Sequence, residues 1–114
     1  MTEEELKYLV DVQIFIDELI EIVGDNKRFE KFDSNLIVRR AIERQFELIG
    51  EAIKNFKKTN TETEISHSKE IIGLRNRIVH AYDSIDYATL WGIIINHIPK
   101  LKAEIEEMIK KNDI

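Results

Sequence analysis

Apolar residues recur along this chain at steps of three and four, in four separate series, and that spacing restricts it to a helical fold. The first series is Leu9, Val12, Ile16, Leu19 and Val23, and the second is Val38, Ile42, Phe46, Ile49, Ile53 and Phe56. The third is Ile71, Leu74 and Ile78, and the fourth is Leu90, Ile94, Ile98, Leu101, Ile105 and Met108. At about 3.6 residues per turn, each series lines one face of a helix. One proline and four glycines in 114 residues leave little to interrupt such helices. The expectation is an all-α, antiparallel up-down four-helix bundle, with room for a short extra helix, forming a single domain over residues 1–114. A chain this short buries a modest core, and a second copy would extend it.

The punctuation between the series agrees. Thr2 and Glu5 read as a capping box before the first helix, and Gly24-Asp25-Asn26 ends it. Asp33 or Ser34 is the expected N-cap of the second helix. Gly50 falls in its middle, where glycine costs about 1 kcal/mol relative to alanine and points to close approach of another helix. Residues 58–64 are polar and read as an exposed loop. The third helix should begin near Ser66 or Ser68. Asp83 to Asp86 separates it from the fourth, with Asp86 as the N-cap. Pro99 lies inside the fourth series and removes the hydrogen bond to Ile95, so a kink is expected there. Trp91, Ile93 and Ile95 widen the apolar surface of that helix beyond one stripe, as burial against both the bundle and another chain would require.

Charge and cysteine content narrow the function classes. The chain has no cysteine, which excludes disulfides and thiolate metal sites. Its first residues, Met-Thr-Glu-Glu-Glu, are acidic, unlike a signal peptide, and no apolar run reaches membrane-spanning length. A cytoplasmic protein with no membrane association is therefore expected. The net charge of −5 opposes a large electrostatic footprint on nucleic acid, but leaves room for a local cationic groove or a basic partner.

Residues 75–82, Arg-Asn-Arg-Ile-Val-His-Ala-Tyr, carry the most chemistry. On a helix, Ile71, Leu74 and Ile78 face the bundle with Tyr82 to the same side, while Arg75 flanks that stripe. His80 points nearly opposite, with Asn76 one turn below and Gly73 alongside. Five residues at about 100° each separate Arg75 from His80 by about 140°, too far to act together on one small substrate within one straight helix. Either the helix ends before His80, or two copies share a site across a two-fold axis, with Gly73 allowing the two helices to come close. The second reading is preferred, and makes the protein a homodimer.

Those residue types suit the cleavage of RNA without metal. The reaction needs a base for the attacking 2′-OH, an acid for the leaving oxygen, and donors for charge on phosphorus. Histidine serves as acid or base near neutral pH. Arginine matches phosphate oxygens with a forked set of donors. Asn76 is placed to orient the imidazole or bind phosphate. One histidine per chain falls short of an acid plus a base, and two chains supply both. The bland reading is that Arg75 and His80 cap carbonyls or pair with carboxylates.

The other candidates have simpler explanations. His67 and His97 lack accompanying ligands at metal-binding spacing, so no metal is expected. Arg40 and Arg44, beside the row Glu43, Glu47 and Glu51, read as a solvated ion-pair face. The lesser reading puts Arg40 or Glu43 near the groove as support. Tyr87 and Trp91 read as core or interface residues.

Gly73-Leu74-Arg75-Asn76-Arg77-Ile78-Val79-His80-Ala81-Tyr82 closely resembles the Arg-x4-His-x-Tyr motif of the HEPN superfamily, in particular the HepT-like toxins, also catalogued as a domain of unknown function. The segments Arg40 to Arg44 and Leu48 to Ala52 are similar to that family's second helix. Ile85-Asp86-Tyr87, Leu90-Trp91 and Ile98-Pro99-Lys100-Leu101 are similar to its last helix. Family members often carry proline and tryptophan before the third helix, where this chain reads Ile65-Ser66-His67-Ser68-Lys69. The resemblance implies a dimerising helical bundle and a toxin–antitoxin ribonuclease, with Arg75, His80 and Asn76 at a metal-independent site in the dimer groove and no cofactor. It also implies an RNA substrate and a nucleotidyltransferase antitoxin that transfers AMP to Tyr82. The alternative is a non-catalytic helical binding module that docks onto such a nucleotidyltransferase.

Overall fold

The computed structural model describes residues 1–25, 27–80 and 85–112, and among these it contains six α-helices and no strand. They are α1 (Glu3–Val23), α2 (Phe29–Ser34), α3 (Leu36–Thr59), α4 (Ser68–His80), α5 (Tyr87–Asn96) and α6 (Ile98–Asn112). No helix among the described residues is long and apolar enough to cross a membrane.

Helix α1 begins as expected. The Thr2 hydroxyl accepts from the Glu5 N–H at 3.0 Å, and the Glu5 carboxylate accepts in return from the Thr2 N–H. It ends at Gly24, whose φ of 71° lies in the left-handed region where glycine carries no steric penalty.

The start of α3 corrects one expectation. Asp33 and Ser34 are not its cap, because both belong to the short helix α2. Asn35 holds the extended conformation between the two, and its side chain accepts from the Val38 N–H at 3.1 Å. The apolar contact that brings α2 onto the bundle is Phe32, which is buried, with Phe29 packed beside it. No period-four series marks so short a helix. At its other end α3 runs to Thr59, so the polar connection starts at Asn60 rather than Lys58.

The fourth apolar series is two helices rather than one kinked helix. α5 ends on the His97 N–H bonded to the Ile93 carbonyl at 2.9 Å, and α6 opens with the Leu101 N–H on the His97 carbonyl at 2.9 Å. Pro99 is thereby placed in the first turn of α6, where its missing N–H would have had no helical partner. Asp86 caps α5 as expected, accepting from Ala88 and Thr89.

Side-chain links give the direction of two packed pairs. Gln45 of α3 reaches Phe15 and Glu18 of α1, whereas Asn60 reaches Glu5, so α1 and α3 are antiparallel. Lys57 bonds Ser68, and Gly50 meets Arg75, so α3 and α4 are antiparallel as well. Lys102 pairs with Asp17 at 2.7 Å where α6 lies on α1. The inner faces of all six helices meet in one core, and it contains nearly every residue of the four series. Only Val23, Val38 and Met108 remain partly exposed.

Candidate functional site

Gly50 explains how Arg75 is seated. A Cβ at Gly50 would lie 2.5 Å from the Arg75 Cβ and 2.9 Å from its Cγ, so the arginine stem rests directly on the α3 backbone. Two neighbours then fix the guanidinium. Its Nη2 is 2.8 Å from the Glu51 Oε2, and its Nη1 donates to the Asn76 Oδ1 at 3.1 Å. The Glu51 contact is a close ion pair without the alignment of a hydrogen bond, since Oε2 is buried and has no donor pointing straight at it. The Arg75 Nε is buried and lacks a partner. Only 18% of the Arg75 side chain is exposed, against 44% for Glu51.

His80 is the last residue of α4 and is exposed, as are Asn76 and Gly73 on the same side of the helix. A Cβ at Gly73 would meet nothing within 4 Å. Beside this face, Lys69, Glu70, Gly73, Leu74 and Arg77 of α4 and Thr89, Ile93 and His97 border a cleft of about 490 Å³. The structure therefore joins Arg75 to Asn76 and to Glu51. It leaves Arg75 against α3 and His80 on the outer side of α4, as the helical angle requires. The side chain of Asn76 contacts the guanidinium. Tyr82, the expected modification site, lies outside the described residues, as does Asp83.

The acidic row on α3 is not a uniform solvated face, which corrects the sequence reading. Glu43 is buried at 3% exposure. It receives Arg40 at 2.8 Å and the Tyr87 hydroxyl at 3.2 Å, and Arg40 also approaches that hydroxyl at 3.3 Å. The hydrogen bond Arg40 donates to Glu43, then the Glu43 charge, then Tyr87, raise the Arg40 pKa above its ordinary value. Arg44 and Glu47, 3.0 Å apart, form a partly exposed pair of the kind anticipated for the row. Buried Glu43 accepts from the Tyr87 hydroxyl of α5, a tertiary contact that spacing along α3 does not encode.

The aromatic and histidine candidates have structural partners. Trp91 stacks on Phe32 at 5.3 Å between ring centroids, with Phe29 and Tyr87 completing the cluster. The Arg39 guanidinium lies 4.9 Å over the Tyr87 ring. His67 and His97 approach to 4.0 Å between ring centroids where the start of α4 meets the α5–α6 break. No group of three or more metal-ligating His, Cys, Asp or Glu occurs among the described residues.

Glu51 is the contact that sequence reasoning missed. Its signal was present: it follows the glycine that marks where α3 meets a neighbour, so its carboxylate falls at the edge of that contact.

The described helices hold an arginine between α3 and α4 and expose a histidine at the end of α4, and the sequence has known relatives. The chain belongs to the Ribonuclease HepT-like family, whose model matches residues 12–108. A protein of Methanocaldococcus jannaschii provisionally named an RNase is 34% identical over 113 residues, covering 96% of this chain and 92% of its own. Another of that provisional name, from Caldanaerobacter subterraneus, is 37% identical over 87 residues, covering 73% of this chain and 75% of its own. A protein of Thermococcus cleftensis provisionally named ribonuclease HepT is 35% identical over 107 residues, covering 90% of this chain and 94% of its own. No solved structure matches the chain.

Proposed function

We propose that this chain is the toxin of a toxin–antitoxin pair, an endoribonuclease that cuts RNA without metal in a groove between two copies. The observation that supports this most is the division of labour across α4: Arg75 is fixed at one edge by Glu51 and Asn76, and His80 stands exposed on the other. A second α4 packed across the open surface at Gly73 would bring the imidazole of one copy toward the guanidinium of the other.

In that groove one His80 takes the proton of the 2′-OH as its oxygen attacks the adjacent phosphorus. The partner copy's equivalent imidazole protonates the departing 5′-oxygen. The P–O5′ bond breaks as the P–O2′ bond forms, leaving a 2′,3′-cyclic phosphate and a 5′-hydroxyl. Arg75 stabilises the charge that builds on the non-bridging oxygens, and Asn76 holds the guanidinium in place. Arg40 and Glu43 support the α3 side of the groove through Tyr87.

The same reading includes a nucleotidyltransferase partner that moves AMP from a nucleoside triphosphate onto the Tyr82 hydroxyl and releases pyrophosphate. The added bulk and negative charge two residues from His80 would exclude the phosphates of RNA.

Inducible expression tests the pair as a whole. Expressed alone, the parent chain is expected to arrest growth and the His80→Ala chain to leave it unaffected. Co-expression with a nucleotidyltransferase gene found beside it should restore growth and add the mass of AMP at Tyr82. Equal arrest by the parent and the His80→Ala chain, or rescue with no gain in mass, would contradict the corresponding half of the proposal.

A further inference from the structure

The contact between Gly50, Glu51 and Arg75 carries more than packing. Arg75 has a short reach because its stem lies flat on the α3 backbone at Gly50, the only residue type that leaves room for it there. Its Nε faces inward, buried and without a partner, so the fork of Nη1 and Nη2 is the part of the guanidinium that can meet a ligand. Glu51 touches Nη2 from one side at 2.8 Å and Asn76 touches Nη1 at 3.1 Å. A hydrogen bond at one tip and a close ion pair at the other restrict the swing of a planar group. Nη1 keeps one N–H beyond the Asn76 bond and Nη2 donates no aligned hydrogen bond to Glu51, so both tips keep N–H groups that can donate to phosphate oxygens.

We infer that Glu51 is a positioning residue for the reaction: it sets the plane of the Arg75 guanidinium, with Gly50 as the notch that brings the arginine within its reach. This rests on the reading of Arg75 as the group that stabilises charge on phosphorus. The buried Nε has no partner of its own, so Glu51 and Asn76 are the groups that hold the guanidinium among the described residues. Removing the Glu51 charge while keeping its shape should therefore let the fork swing away from the phosphate without disturbing the helices. An arginine that acts mainly in the transition state loses rate rather than substrate affinity when it is misplaced.

Two measurements on Glu51→Gln test this. In steady-state cleavage of an RNA oligonucleotide, kcat should fall by about tenfold while KM stays within about twofold. In the second, the purified proteins react with phenylglyoxal and peptide mass spectrometry reads the modification rate at Arg75. That rate should rise severalfold in Glu51→Gln, with Arg40 and Arg44 unchanged as internal controls and the melting temperature close to that of the parent. An unchanged kcat, or a lower kcat with no change in Arg75 reactivity, would overturn the inference. If Arg75→Ala cleaves RNA like the parent, the catalytic reading of Arg75 itself fails. The phenylglyoxal rate needs no catalysis and still reports separately whether Glu51 restrains the guanidinium.

Discussion

Two residues five apart on one helix are held in opposite circumstances. Arg75 is pressed against α3 and paired; His80 is exposed at the helix end. The difference begins with the roughly 100° turn per residue, which sends the two side chains to different sides of α4. Gly50 then decides how close α4 can lie to α3. Replacing it with alanine adds helix propensity worth about 1 kcal/mol, but forces a methyl group into the Cβ and Cγ of Arg75. Those atoms belong to the rigid base of the side chain, so α4 itself must shift, at a cost of about 1–3 kcal/mol for overpacking. Gly50→Ala is therefore expected to lower stability by about 1 kcal/mol net in urea unfolding, and by no more than about 2 kcal/mol, and to reduce cleavage as Arg75 moves. A variant as stable as the parent would show that the close approach is softer than the contact distances imply.

At the level of elements, the apolar spacing identified almost all of what became buried, because each series records a face that must leave water whatever its neighbours are. Caps made by local side chains were equally readable: the Thr2–Glu5 box and the Asp86 cap form as anticipated, since both depend on residues within three positions of each other. Boundaries set by tertiary contact were not. α2 exists because Phe32 is buried under Trp91 and beside α3, and two aromatic residues in six carry no helical period. The same holds for Glu43, which is buried and accepts from Tyr87, 44 residues away. Pro99 was recognised as an interruption, but its missing N–H alone does not say whether a helix kinks or a new one opens, since His97 keeps hydrogen bonds to both neighbouring turns. Here the chain breaks, and the proline takes the first turn of α6. Of the site, the motif residues were legible as residue types, and the angle between Arg75 and His80 followed from helix geometry. Glu51 was marked only by its place after Gly50, and its pairing with Arg75 was not legible because it spans two helices.

The whole molecule carries a net charge of −5, yet its proposed substrate is a polyanion. Few phosphates can be contacted by such a surface, so specificity must come from a small groove rather than a broad basic patch. A single chain separates the guanidinium from the imidazole, and the proposed two-fold assembly on the exposed face of α4 would reunite them. Light scattering is expected to give twice the 13.4 kDa chain mass, and a bulky Gly73→Trp substitution should shift it toward one. A parent protein that remains monomeric at high micromolar concentration would remove the shared groove. The most direct test of the central claim is cleavage of a defined RNA by purified protein in excess chelator, with the end groups of the products identified. The account predicts 2′,3′-cyclic phosphate ends from the parent, and loss of cleavage by at least about a hundredfold in both His80→Ala and Arg75→Ala. Cleavage by His80→Ala at the parent's rate, or cleavage that disappears on chelation, would contradict it.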